Sequence, residues 1–285
     1  MFKVKPLAFE SLGARSMATF IETSDLKVVI DPGVALAPDR FGLKPHVLEE
    51  KAKKALWLSI EEHVEKSDVI VISHYHFDHF NPDMPNIFEG KTLLIKDPGT
   101  WINLSQKTRA RNFLKKLKGF DVKPIYVDRK VFKWNGTEIK FSHPVPHGAS
   151  TERGYVVEVC IRAEKTFIHT SDVQGPILQE QVDFILIEDP DFLIVDGPST
   201  YYDNSYQSID LKAAIESLNK IIKQTRLCKM IVDHHLTRDI DYKQKIGDVY
   251  KIAGTAGKWV GCAAEFLGEE PRLLEADRKG LYSKS

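Results

Sequence analysis

Ser73-His74-Tyr75-His76-Phe77-Asp78-His79-Phe80 decides how this chain is read. Four side chains able to bind a metal, His74, His76, Asp78 and His79, fall within six residues, directly after the apolar run Val69-Ile70-Val71-Ile72. A short run of Val and Ile is the pattern of a buried β-strand. The chain therefore delivers its four ligands at a strand's carboxyl end, where α/β proteins place their sites. The donors are nitrogen and oxygen without sulfur. Structural zinc sites are usually closed and rich in cysteine, whereas His and carboxylate sets that leave a position for water are catalytic. The motif points to a catalytic metal centre.

The HxHxDH spacing after an apolar strand resembles the metal-binding motif of the metallo-beta-lactamase superfamily, and the superfamily's other elements follow in order. Asp31 comes after Leu26-Lys27-Val28-Val29-Ile30, and His147 lies in Pro146-His147-Gly148. Asp172 comes after Thr166-Phe167-Ile168-His169-Thr170-Ser171, and His234-His235 after Lys229-Met230-Ile231-Val232-Asp233. Taken singly, these residues read more plainly. Asp31-Pro32-Gly33 is a turn sequence and Asp172 an N-cap or turn residue, while a lone His147 is a hydrogen-bonding residue; the order promotes them. The resemblance spans residues 31 to 235. Through Ser11-Leu12-Gly13-Ala14-Arg15-Ser16 and Ile30-Asp31-Pro32-Gly33-Val34-Ala35 it is similar to an archaeal-type branch. It implies an α/β (α+β) fold, the four-layer αββα sandwich.

The resemblance further implies that His74, His76 and His147 bind one divalent ion, that Asp78, His79 and a late histidine bind a second, and that Asp172 bridges them. Zinc is the expected metal, with Mn or Fe as alternatives. Two such ions, ~3.5–4 Å apart, lower the pKa of a bridging water. The nucleophile would be a metal-bound hydroxide oriented by Asp78 as a catalytic residue, with no protein nucleophile. Asp31 would fix ligand orientation from behind. Superfamily spacing favours His234 over His235 as the late ligand. Successive side chains of an extended segment alternate faces, which sends His235 to substrate or to a supporting carboxylate. His143 and His169 read as ordinary hydrogen-bonding histidines before supporting residues, and Asp196, in Asp196-Gly197-Pro198-Ser199, as a turn residue before a substrate-contacting or supporting one.

Composition bounds the rest. A hydrophobic share of 42% and a charged share of 28% are those of a soluble globular chain, and 285 residues suit one large domain, 1–285. Forty basic and 40 acidic side chains cancel, leaving no global field to draw nucleic acid or an anionic membrane. Cys160, Cys228 and Cys262 are odd in number and far apart, which speaks for a reducing compartment. The N-terminus lacks a signal-peptide pattern, and no apolar stretch reaches the ~18 residues of a membrane span. A cytoplasmic location is expected.

Strands are expected at 3–9, 17–23 and 26–30, and in the second half at 154–161, 166–170, 183–187, 192–195 and up to Val232. Helices are expected at 46–66, with a stripe of Val47, Leu48, Ala55, Leu58 and Val64, at 101–118 and at 208–223. His46 and His63 should be solvated or capping, and 253–257 a glycine loop. Pro82 and Pro85 break any helix starting at Asp78. The segment 101–118 carries Lys107, Arg109 and Arg111. If these face the metals, Arg109 and Arg111 bind an anionic substrate group. On that ground the first expectation is a dinuclear metal-dependent hydrolase of phosphodiesters or phosphate esters, with a small-molecule or nucleotide-like substrate. A carboxylic-ester, thioester or lactone hydrolase is the second, because one site serves many substrates in this superfamily. An RNA-processing nuclease would call for a strong basic patch. A redox diiron protein resembles HxExD, where this chain has His76. A non-enzymatic metal-binding scaffold would need metals without an open water position.

Overall fold

The computed structural model describes residues 2–201 and 205–284. Its first sheet has the order β1 (Lys3–Phe9), β2 (Met17–Glu22), β3 (Lys27–Ile30), β4 (Val69–Ile72), β5 (Thr92–Ile95), β6 (Pro124–Tyr126). β1 to β3 form an antiparallel meander, and β3 to β6 run parallel. The second sheet contains β7 (Val131–Trp134), β8 (Thr137–Phe141), β11 (Val159–Arg162), β12 (Thr166–His169), β13 (Phe192–Asp196), β14 (Lys229–Asp233) and β15 (Trp259–Gly261). There β12 to β15 are parallel. A short ribbon of β9 (Val145–Pro146) and β10 (Tyr155–Val156) stands apart.

The side-chain period of two divides each central strand between two cores. Ile161, Phe167, Ile194 and Ile231 of the second sheet share a core with Val28, Ile30, Val69, Val71 and Leu94 of the first. Their neighbours Cys160, Ile168, Leu193, Val195, Met230 and Val232 face the other way, onto Val182, Ile185, Leu218, Ile221 and Val249. Those partners belong to α3 (Gln179–Glu188), α4 (Ser205–Gln224) and, after the single turn α5 (Tyr242–Lys245), α6 (Gly247–Thr255). α1 (Val47–Glu65) and α2 (Leu104–Leu117) add Leu56, Ile60, Val64, Ala110 and Phe113 to the first core. The result is helix, sheet, sheet, helix, the αββα sandwich.

Several local expectations need correction. The run at 183–187 is helical, as part of α3, and a short apolar run cannot by itself separate the two structures. Its buried residues Gln181, Val182, Ile185 and Glu188 follow a helical period, and Ile187 is left 75% exposed. Ala253 to Thr255 close α6 instead of forming a loop. α1 packs through Ala52, Leu56, Ile60 and Val64, spaced four apart, and leaves Val47, Leu48 and Leu58 exposed. His46 does cap α1, accepting from Leu48 N while Glu49 Oε2 accepts from His46 N. His63 is buried instead of solvated, edge-on to Phe20 with its Nδ1 on Ser59 O. After the motif only a single 3-10 turn, Pro85–Phe88, precedes β5. Among the described residues no helix is long and apolar enough to cross a membrane.

Candidate metal centre

The carboxyl ends of parallel strands from both sheets meet at one point. Asp31 leaves β3 and Ser73-His74 leaves β4, while Asp172 follows β12, Asp196 ends β13 and His234 follows β14. Asp31 N donates to Val71 O, and Val157 N to Ser73 O, so strands of different origin hold the converging loops. The backbone is bent out of its ordinary range at this place: Asp31, Ser171, Gln174 and His234 have φ of 52°, 58°, 54° and 60°. Such non-glycine conformations cost of order 1–3 kcal/mol each and cluster at functional sites. Gly33 answers a second constraint. A Cβ there would stand 2.2 Å from Phe80 N and 2.5 Å from the His79 carbonyl carbon, so the Asp31 turn lies directly on the HxHxDH loop.

Asp172 is the pivot. Its Oδ2 lies 2.9 Å from His147 Nε2, 3.5 Å from His74 Nε2 and 3.9 Å from His76 Nδ1. Its Oδ1 lies 2.8 Å from His79 Nε2 and 3.0 Å from His234 Nε2. Asp78 Oδ2 is 3.8 Å from that same His234 nitrogen. Two sets result, His74, His76, His147 and Asp172, and Asp78, His79, Asp172 and His234, each with its donor atoms within 4.8 Å of one another.

The opposite edges of the rings are fixed. His79 Nδ1 donates to Asp31 Oδ2 at 2.8 Å, and Asp31 also accepts from Ser73 N and Ser73 Oγ. His234 Nδ1 donates to Glu10 Oε2 at 2.6 Å. His74 Nδ1 sits 3.1 Å from Ser73 Oγ and 3.2 Å from Ser171 Oγ. Hydrogen bonds of this kind select the tautomer that turns the other nitrogen toward a metal.

The residues present fit divalent ions. His74 Nε2, His79 Nε2 and Asp172 Oδ1 are buried without a hydrogen-bond partner, since His79 Nε2 and Asp172 Oδ1 are near each other but not aligned. Buried polar atoms are rarely left so, and the all-N/O donor set suits Zn²⁺, Mn²⁺ or Fe²⁺. The charge states agree. Burial and the neighbouring His79 lower the His74 pKa to about 3, and burial lowers that of His147 to about 4, so both present neutral imidazoles. Asp172 stays well below the usual carboxylate range, because His234, His79 and His147 outweigh its burial. Burial works against a charge on His234, yet Asp172 and Glu10 raise its pKa to about 10. A dication would take that proton's place.

His235 departs from the alternation argument. β14 ends at Asp233 and His234 turns left-handed, so the segment is no longer extended and both rings reach the site. His235 Nδ1 donates to Asp196 Oδ2 at 2.9 Å, and His235, Asp196 and Asp172 make a further donor group. Asp196 is thus no mere turn residue: it is fully buried and also accepts from Gln174 N and His235 N. His169 is structural, its Nε2 on Met17 O and its Nδ1 accepting from Ser171 N.

The arginines expected to bind substrate do not act together. Two positions apart on a helix, they diverge by about 200°. Arg109 stacks on Phe77, its Cζ 4.6 Å from the ring centroid, and donates to Tyr75 O. Arg111 and Lys107 line a separate depression with Asp97 and Tyr126, away from every ligand. A cavity of about 210 Å³ opens beside His147, lined also by Ser150, Arg153, Gln174 and Ser199. No sequence pattern singles out Arg153, Glu10 or Arg238; of these only Arg238, one helical turn after His234, carries any signal.

Family comparison agrees with the geometry. Residues 27–235 match the family described as "Beta-lactamase superfamily domain", and the chain belongs to that superfamily. Within it, the chain is 43% identical to the UPF0282 protein MJ1629 of Methanocaldococcus jannaschii, over 98% of its own length and 96% of the relative's. It is 42% identical to a UPF0282 protein of Korarchaeum cryptofilum, over 98% and 94%. Among solved structures it is similar to Igni18, a metallo hydrolase of Ignicoccus hospitalis, at a TM-score of 0.51 and 15% identity, over 95% of this chain and 96% of that one. It is also similar to an isothiocyanate hydrolase from Delia radicum gut bacteria, at a TM-score of 0.54 and 14% identity over 87% and 94%. These two likenesses concern the fold.

Proposed function

We propose that the protein is a hydrolase whose His and Asp cluster holds two divalent metal ions, zinc first, and that its substrates are phosphodiesters or phosphate esters. One observation carries the reading: Asp172 divides its two oxygens between two histidine sets, and His74 Nε2, His79 Nε2 and Asp172 Oδ1 are buried there without a hydrogen-bond partner. When bound, the ions would lower the pKa of a water and neutralise charge developing on the substrate.

His74, His76 and His147 would hold one ion, Asp78, His79 and His234 the other, with Asp172 shared. His79 outweighs the burial of Asp78 and keeps its carboxylate ionised, so Asp78 can accept a hydrogen bond from the attacking water and orient it. Asp31, Glu10 and Asp196 hold the rings of His79, His234 and His235. Arg153 at the cavity wall offers two parallel donors to a phosphate. A carboxylic-ester or lactone hydrolase is the second reading, favoured by the groove of about 1200 Å³ in which Trp57, Phe77 and Phe80 stand beside the motif loop.

Zinc-, manganese- and iron-loaded protein assayed on bis(4-nitrophenyl) phosphate, 4-nitrophenyl acetate and a homoserine lactone tests the reading. The phosphodiester should be turned over fastest. Asp172→Asn should lose activity by roughly 10²-fold or more, as preorganised electrostatic groups do, while its far-ultraviolet circular dichroism remains. Wild-type turnover in that variant, or no metal bound to either protein, refutes the proposal.

A further inference from the structure

Arg238 places a fixed positive charge against one metal set and not the other. It follows His234 by four residues, in the 3-10 turn Leu236–Arg238, and its side chain is 5% exposed. Nε donates to Glu10 Oε1 at 2.7 Å, and the backbone carbonyl of Arg238 accepts from Arg40 Nη2. With Nε clamped, Nη2 stands 3.0 Å from His234 Nε2 and 3.8 Å from Asp78 Oδ2. Those are two of the four donor atoms of the second set. Glu10 therefore grips both His234 Nδ1 and Arg238 Nε, and the guanidinium cannot swing away without breaking a buried ion pair.

We infer that Arg238 makes the two metal sites unequal, so that the set of His74, His76, His147 and Asp172 fills first and the set of Asp78, His79, Asp172 and His234 binds its ion weakly. Counting carboxylates alone gives the reverse order, because the second set has Asp78 in addition to the shared Asp172. The guanidinium cancels that advantage. An incoming dication meets a unit charge a few ångströms away in a poorly screened interior, and it must displace Nη2 from the His234 edge. Arginine suits this role since it stays charged at every working pH. With one ion held firmly, Nη2 remains beside the second position as a donor for a substrate anion. This inference rests on the metal reading above.

Zinc binding to metal-free protein, read by competition with a chromogenic chelator and by the visible spectrum of a Co²⁺ titration, tests it. Wild type should take one zinc per chain at least roughly tenfold more tightly than the next. Arg238→Gln should tighten the second site by about the same factor and leave the first unchanged. Arg238→Lys guards against misfolding: it keeps the unit charge on Glu10 while giving up the guanidinium fork, so it should fold as wild type does and tighten the second site less than Arg238→Gln. Two ions of equal affinity in wild type, or a folded Arg238→Gln whose second site stays as weak as wild type's, overturn the inference while leaving a dinuclear hydrolase standing. A wild type that binds no zinc or cobalt overturns both.

Discussion

Asp31 and His79, 48 residues apart, are joined by a 2.8 Å hydrogen bond from Nδ1 to Oδ2 with neither side chain exposed. The bond commits the His79 proton to Nδ1 and leaves Nε2 for Asp172 and a metal. Burial raises the cost of ionising Asp31, but the charge of His79 and its hydrogen bond keep Asp31 below its ordinary range. Asp31→Asn keeps the shape and loses the charge. Supporting carboxylates of this kind typically govern metal affinity by 10–100-fold, so zinc competition should show a loss of about that size with the melting transition still cooperative. An unchanged affinity would mean that Asp31 only shapes its turn.

The two late histidines should separate cleanly. His234→Ala removes a donor 3.0 Å from Asp172 Oδ1 and should lower bound metal. His235→Ala removes a ring held by Asp196 and Gln174 and should keep the metal while weakening substrate. Elemental analysis after gel filtration, beside KM on the best substrate, distinguishes them. The reversed pattern would make His235 the ligand.

How much of this could be read beforehand followed from distance along the chain. HxHxDH is legible because one strand end supplies four side chains able to bind a metal within six residues. Asp172 and His234 stand out only through their order in the family resemblance, since alone each is an ordinary residue after an apolar strand. Glu10 and Arg238 pair across 228 residues, and no local pattern marks a carboxylate after β1 as the partner of a loop after β14. His235 meets a supporting carboxylate, Asp196, as expected, but not through strand alternation: His234 is left-handed, and a histidine does not announce that conformation as a glycine would. Phe184-Ile185-Leu186-Ile187 was misread because burial on one side only became visible once the sheet was full.

Glu158 supplies a pH-dependent signature away from the ligands. It is fully buried with no hydrogen-bond partner for either carboxylate oxygen, and burial, reinforced by Glu180, pushes its pKa well above the usual range. A raised pKa in the folded state stabilises the fold below the unfolded pKa, and that contribution is lost as pH rises through the folded one. Glu158→Gln should be near neutral at pH 4.5 and stabilising by about 1–3 kcal/mol at high pH, the cost of an unpaired buried group. Urea midpoints at pH 4.5, 7 and 9 measure it; a difference independent of pH would show that Glu158 is paired.

Substrate charge should be felt through Arg153 and not through α2. Arg153→Gln should raise KM for bis(4-nitrophenyl) phosphate several-fold and spare 4-nitrophenyl acetate, whereas Arg111→Gln should change neither. Added salt should narrow the wild-type advantage, since exposed charges are screened over about 10 Å at 0.1 M. Equal effects on the anionic and neutral esters would favour the ester or lactone reading.

Gly33 has no side chain to offer the site, yet an added methyl group would overlap the backbone that carries His79 and Phe80. Neither wall can retreat, for one presents Asp31 and the other the ligands. The position is therefore closed to evolutionary drift for a purely volumetric reason, and a laboratory selection that randomised the whole Asp31-Pro32-Gly33 turn should return glycine at its third place as strictly as it returns the histidines. A search pattern for proteins that share this architecture gains more from that silent residue than from a further charged one.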